Sequence, residues 1–231
     1  SNLVSPAVQE ETHRSPCMNR EGAVWPRINP HGVALAVLVW FVTFTAVAQG
    51  SESPTEAVRG TVDQVMHILE DPALKDPAKL MPRRRMLEEM VATRFDYAEM
   101  SKRALAAYWV PLTAAERAEF VEVFKKFLSD RYAEKIEGYS GQQVVYLSER
   151  IEGSYAEVRS ELRSEKTTIP LDYRLLLKEG RWYAYDLIAD GISLVKNYRS
   201  QFNTIIRDSS YQELVKKLRE RTLSGETKTT P

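Results

Sequence analysis

Cysteine and histidine are nearly missing from this chain, and so is any excess of charge. The 231 residues include one cysteine, Cys17, and three histidines, of which only His67 lies beyond residue 48. Beyond Cys17 the chain has no thiol, which excludes disulfides, thiolate catalysis and cysteine zinc sites there. His67 follows Met66 on an expected helix, with no nucleophile or carboxylate set beside it by spacing, so a surface position is expected. The 32 basic and 32 acidic residues balance. A neutral chain offers no electrostatic case for nucleic acid or for strong attachment to an anionic membrane surface. Metal-ligand spacing, a glycine-rich phosphate loop and a nucleophile elbow are all lacking, so no cofactor or metal is expected.

Long hydrophobic runs are also scarce. Residues 33–48 carry no charge, follow Arg14, Arg20 and Arg27, and close on Ala46-Val47-Ala48. A basic region, a short apolar run and a small-x-small end read as a secretory signal peptide cleaved after Ala48. The run is shorter than the roughly 20 residues that span a bilayer. No cysteine follows it to carry a lipoprotein anchor. The chain is expected to divide into a signal peptide with its preceding segment (1–48), one domain (49–224) and a flexible tail (225–231).

Within the domain, the period of the apolar residues changes once. Ser53-Pro54-Thr55-Glu56 combines an N-cap, a proline at the first helical position and a capping-box acid. The stripe Val58, Val62, Val65 and Leu69 continues that helix to Asp71-Pro72. A second helix is predicted over 82–93, with Arg83-Arg84-Arg85 as its solvated face. Asp96 with Glu99 starts a third helix, which should stop near Val110-Pro111. Thr113 with Glu116 starts the longest helix, carrying Phe120, Val123, Phe124 and Phe127 and stopping at Gly138. After Gly141 the period becomes two, predicting strands at 143–149, 154–163, 167–178 and 181–188 in an antiparallel meander. Helices return at 191–208 and 210–222. The fold class is therefore α+β: a four-stranded antiparallel meander covered on one face by helices.

The segment Trp182–Phe202 is the most informative. An aromatic strand ends at Asp190-Gly191 and runs directly into a helix with Val195, Tyr198 and Phe202 on one side. The apolar stripes of 97–108, 171–177 and 195–206 suit an internal cavity for greasy ligands. Its candidate lining is Tyr97, Met100, Ala104, Tyr108, Phe124, Tyr173, Leu175, Val195, Tyr198 and Phe202. Ordinary core packing accounts for most of these residues one at a time. The other constellation is Asp172, Asp186 and Asp190 on neighbouring strands. It could serve acid–base chemistry in an isomerase or hydratase, but turn capping and pairing with Arg174 or Arg181 is the favoured reading, so no enzyme is expected.

Ordered strings carry a resemblance. Phe95-Asp96-Tyr97-x-x-Met100-Ser101-Lys102-Arg103-Ala104-Leu105, Tyr108-Trp109 and Thr113-x-x-Glu116-Arg117-x-x-Phe120 resemble the helical half of the toluene-tolerance family. Asp172-Tyr173-Arg174-Leu175, Trp182-Tyr-x-Tyr-Asp186 and Asp190-Gly-Ile-Ser-Leu-x-x-Asn197-Tyr-Arg-Ser-Gln-Phe202 resemble its sheet half. The likeness covers about residues 53–222; Asp190 stands where the family usually has Glu. That family includes the periplasmic phospholipid-binding component of the Mla (maintenance of lipid asymmetry) pathway. The resemblance implies a periplasmic carrier that encloses acyl chains between sheet and helices. It also implies partners: an outer-membrane lipoprotein complex, and an inner-membrane ABC transporter with its substrate-binding ring.

Overall fold

The computed structural model describes residues 52–139 and 141–227. The expected signal peptide and Cys17 lie outside the described residues. Helix α1 (Pro54–Glu70) begins as its capping box requires: the Ser53 hydroxyl accepts the Glu56 N–H, and the Glu56 carboxylate accepts the Ser53 N–H at 3.0 Å. Two 3-10 turns follow, each opened by an aspartate before a proline, with Asp71 accepting from Ala73 N–H and Asp76 from Ala78 N–H. Helix α2 (Leu80–Arg94) packs against α1 through Ile68, Leu69 and Leu87. Two members of the arginine run are not merely solvated. Arg84 grips Glu137 with two bonds of 2.9 Å, and Arg83 lies 3.8 Å from the same carboxylate.

Helix α3 (Tyr97–Leu105) starts on Asp96, which accepts the Glu99 N–H at 2.9 Å. It ends earlier than Val110-Pro111 would require. Ala106 turns to φ 50°, and Ala106–Trp109 form a 3-10 turn. Arg117 closes this turn by donating to the carbonyls of Trp109 and Val110 at 3.2 and 2.8 Å. Arg117 sits in the first turn of α4 (Ala114–Glu137), which Thr113 and Glu116 cap reciprocally and Gly138 ends.

The strands are β1 (Gln143–Glu152), β2 (Tyr155–Arg163), β3 (Thr168–Lys178), β4 (Arg181–Ala189) and β5 (Ile192–Ser193). They pair antiparallel in the order β1-β2-β3-β4-β5. The expected meander is correct, but the sheet has five strands rather than four. Asp190 and Gly191, at φ 51° and 74°, reverse the chain so that Ile192 and Ser193 fold back on Ala189 and Ile188. A two-residue strand has no period to read, so the sequence assigned it to the following helix. Helix α5 (Leu194–Asp208) comes directly after it, and α6 (Tyr211–Thr227) runs past the predicted end at 222.

One sheet face is apolar and lies under α1, where Ala57 and Val58 meet Ala156, Val158, Tyr173, Leu175, Trp182 and Ala184. The other face carries Glu157, Arg159, Glu161 and Arg163, none of them fully buried, as the alternation in β2 requires. Helices α3 to α6 form a second apolar body around Phe120, Phe124 and Phe202.

Candidate functional site

The aromatic body is built at helical spacing. Phe120, Phe124 and Phe127 recur on α4, Tyr198 and Phe202 on α5, so each helix presents one ring-bearing edge to the other. Phe124 lies 5.2 Å from Phe202 and 5.5 Å from Tyr198, with interplanar angles of 75° and 80°. Phe127 meets Tyr198 at 5.5 Å and 84°, and Phe120 meets Phe202 at 5.8 Å and 88°. These edge-to-face contacts put positive ring edges on negative ring faces. The Tyr198 hydroxyl reaches Tyr132 at 3.5 Å; burial and that hydrogen bond push its pKa up. Burial, with help from Glu88, pushes Tyr97 up to about 12.

The ten residues proposed from sequence do not form one group. Met100, Ala104, Phe124, Val195, Tyr198 and Phe202 are buried together in the helical cluster, with Tyr97 and Tyr108 on its margin. Tyr173 and Leu175 belong to the other cluster, under α1. The reason is tertiary: α1 occupies the sheet face onto which β3 projects these two side chains. Both clusters are built of buried side chains, and two grooves among the described residues are open clefts with charged rims.

The seam between the clusters runs through residues to which the sequence reading gave no site role. Phe95 packs against both clusters and forms a parallel bridge with Ala184, while the Asp96 N–H donates to the Ala184 carbonyl at 2.9 Å. Its signal was present, since an apolar residue just before an N-cap often staples the helix entry. Arg94 joins three elements, donating to Thr61 Oγ1 at 3.0 Å and to the Trp182 carbonyl at 2.7 Å.

A bulge decides the fate of Asp186. Tyr173 pairs with Leu187 and Leu175 with Ala184, so Arg174 alone on β3 faces Tyr185 and Asp186 on β4. The extra residue breaks the alternation. Strict period two would put Asp186 on the same face as Trp182 and Ala184, under α1. Instead its buried carboxylate accepts the Ser193 hydroxyl at 2.6 Å and the Val195 N–H at 3.0 Å, with Arg174 at 3.5 Å. Asp186 thus pins the first turn of α5 to β4, where the helix N-terminus favours a negative charge. Asp190 is exposed at the β4–β5 corner, and Asp172 pairs in register with Ile188. His67 is exposed in the last turn of α1. Among the described residues, no group of three or more His, Cys, Asp or Glu could hold a metal ion, and no helix is long and apolar enough to cross a membrane.

A five-stranded meander with one helix-covered face, joined to an aromatic helical layer, defines an α+β protein whose distinctive chemistry is apolar. The profile of the family described as MlaC protein matches residues 59–220. The chain belongs to that family. It is 22% identical over 124 residues to the "intermembrane phospholipid transport system binding protein MlaC" of Haemophilus influenzae, a match covering 51% of this chain. The chain spans 58% of that relative's length. It also shares its fold with a phospholipid-binding protein from Ralstonia solanacearum, solved in complex with a phospholipid. That likeness has a TM-score of 0.65 and 25% identity, and covers 74% of this chain and 97% of the other.

Proposed function

We propose that this protein is a periplasmic lipid carrier that binds phospholipid by its acyl chains and passes it between transport complexes of the outer and inner membranes. The observation that carries this reading is family membership over residues 59–220, together with a shared fold with a protein solved holding a phospholipid. The acyl chains are proposed to lie along the seam at Phe95. There they would meet Tyr97, Met100, Ala104, Tyr108, Phe124, Val195, Tyr198 and Phe202 from the helices, and Tyr173 and Leu175 from the sheet. Separating two closed apolar bodies exposes surface that the chains then cover. Burying two long chains is worth roughly 25 kcal/mol at about 0.8 kcal/mol per methylene. A bilayer already supplies that, so the carrier need only match the membrane and lower the barrier to exchange. Direction then comes from the partners. The commitment of Asp186 to anchoring α5 supports carriage rather than acid–base turnover.

The test is organic extraction of purified protein, with lipid phosphorus measured per chain. A fixed molar ratio is expected. Val195→Trp should lower that ratio while the fold survives, since it fills the helical side of the seam. Folded protein free of lipid, even after incubation with vesicles, would overturn the carrier reading.

A further inference from the structure

Exposed large apolar side chains occur in two settings. Leu147 and Ile151 lie on β1, an edge strand, so backbone groups beside them point away from the sheet and need water or another strand. Val110, at 74% the most exposed among the described residues, lies in the turn between α3 and α4, which Ala106 opens at φ 50°. There the backbone is satisfied from within. The Val110 N–H donates to the Ala107 carbonyl and the Leu112 N–H to the Trp109 carbonyl, both at 3.4 Å. Pro111 has no N–H. Arg117 donates to the carbonyls of Trp109 and Val110. Every N–H from Val110 to Leu112 is therefore spent, and two of the carbonyls already carry a donor. In water this gains little, because water would bond the same groups. In a medium without donors or acceptors it removes a large cost for each group.

The surroundings of the turn are graded. Val110 and Pro111 form an exposed apex, and Trp109 and Leu112 behind it are half-buried against the helical cluster. The Arg117 guanidinium lies 5.4 Å from the centre of the Trp109 ring. Among the described residues no carboxylate pairs with Arg117, whose donors go to the two carbonyls. Its neighbour Glu116 is taken up by Thr113. An apolar apex, then a tryptophan, then a positive charge with no carboxylate of its own is the order of layers that a bilayer surface complements: acyl chains, head-group boundary, phosphates. A protein interface carries hydrogen bonds across it, and this turn has few backbone groups left to make them.

We propose that the turn Trp109–Leu112 is a membrane-contacting tip that dips into the surface of a phospholipid bilayer. Val110 and Pro111 enter the acyl boundary, Trp109 sits at head-group level, and Arg117 faces the phosphates. The chain as a whole is neutral, so the contact is apolar and brief rather than ionic and tight. The tip does not depend on the carrier reading. On that reading, it brings the helical body to the bilayer from which lipid is loaded.

The experiment titrates the purified full chain with phosphatidylcholine vesicles brominated on their acyl chains. The emission of Trp109 is read as wild type minus Trp109→Phe, with the vesicles present and again after their removal, which separates contact from carried lipid. Trp109 should be quenched on the vesicles and should recover when they are removed. Val110→Asp should weaken the vesicle affinity read from this quenching about tenfold or more, the value of burying one valine side chain. Val110→Leu should keep it, and Leu147→Asp, on the edge strand, should leave it unchanged. Trp109 emission that vesicles do not quench overturns the tip and leaves the turn to a protein partner. An affinity that Val110→Asp does not lower, or that Leu147→Asp lowers equally, overturns it as well. Quenching that wholly survives removal of the vesicles overturns the tip while upholding the carrier reading.

Discussion

The two apolar bodies are closed by different means. Under α1, Ala57, Ala156 and Ala184 let the helix approach the sheet, and Val58, Val158, Leu175, Tyr173 and Trp182 fill what remains. In the helical body, large rings lean on one another, and Phe124 touches Phe120, Phe127, Tyr198 and Phe202, the last two edge to face. Close backbone packing has no spare volume and resists insertion. Rings held by edge-to-face contacts can exchange one partner for another at modest cost, because each pair contributes only about 0.5–1.5 kcal/mol beyond burial. On the carrier reading proposed above, the helical body is the side that yields to acyl chains, and the α1–sheet body is the wall.

Substitutions separate the two behaviours. The largest effect is expected from Phe124→Ala, which removes a fully buried ring with four ring partners and should cost about 3–5 kcal/mol in urea unfolding. Lipid binding should recover part of this loss, because a chain can occupy the space. Ala57→Leu, on the wall, should cost about 1–3 kcal/mol by overpacking, with no recovery by lipid. Equal responses to lipid at the two positions would remove the distinction.

Next comes Asp186→Ala. It leaves the Val195 N–H and the Ser193 hydroxyl without their acceptor at the start of α5, and should cost about 2–3 kcal/mol. Hydrogen exchange should quicken in the first turn of α5 and stay unchanged in β1 and β2.

Alkaline titration reads the clusters through their phenols. Tyr97, on the helical body, is pushed up to about 12, and so is Tyr146, on the sheet body, in both cases chiefly by burial. The fold favours the neutral phenol, so this stability is whole below the unfolded pKa of about 10 and is lost as pH rises towards 12. Tyr97→Phe and Tyr146→Phe should each flatten the fall in stability over that window. The smallest effect is expected from Thr113→Ala. It removes one half of a reciprocal cap at the start of α4 and should cost about 1 kcal/mol, with lipid content unchanged.

Much of this architecture was legible in the residues. The starts of α1, α3 and α4 follow from side chains that cap neighbours three positions away, and the strands of the meander follow from alternation within single segments. These are local interactions, so the sequence states them directly. The family strings were equally legible, because the order of short motifs survives where overall identity is low. The division of Tyr173 and Leu175 from Tyr198 and Phe202 was not legible. Each stripe is apolar, and nothing in a stripe says which other stripe it meets. The same holds for Asp186, whose face depends on a bulge set by how β3 and β4 come into register. The sequence by itself determined most of the elements, the capped helix starts and the family. Only the tertiary structure decided which apolar faces close on each other and that Asp186 holds α5, because burial is a property of pairs of surfaces brought together from distant parts of the chain.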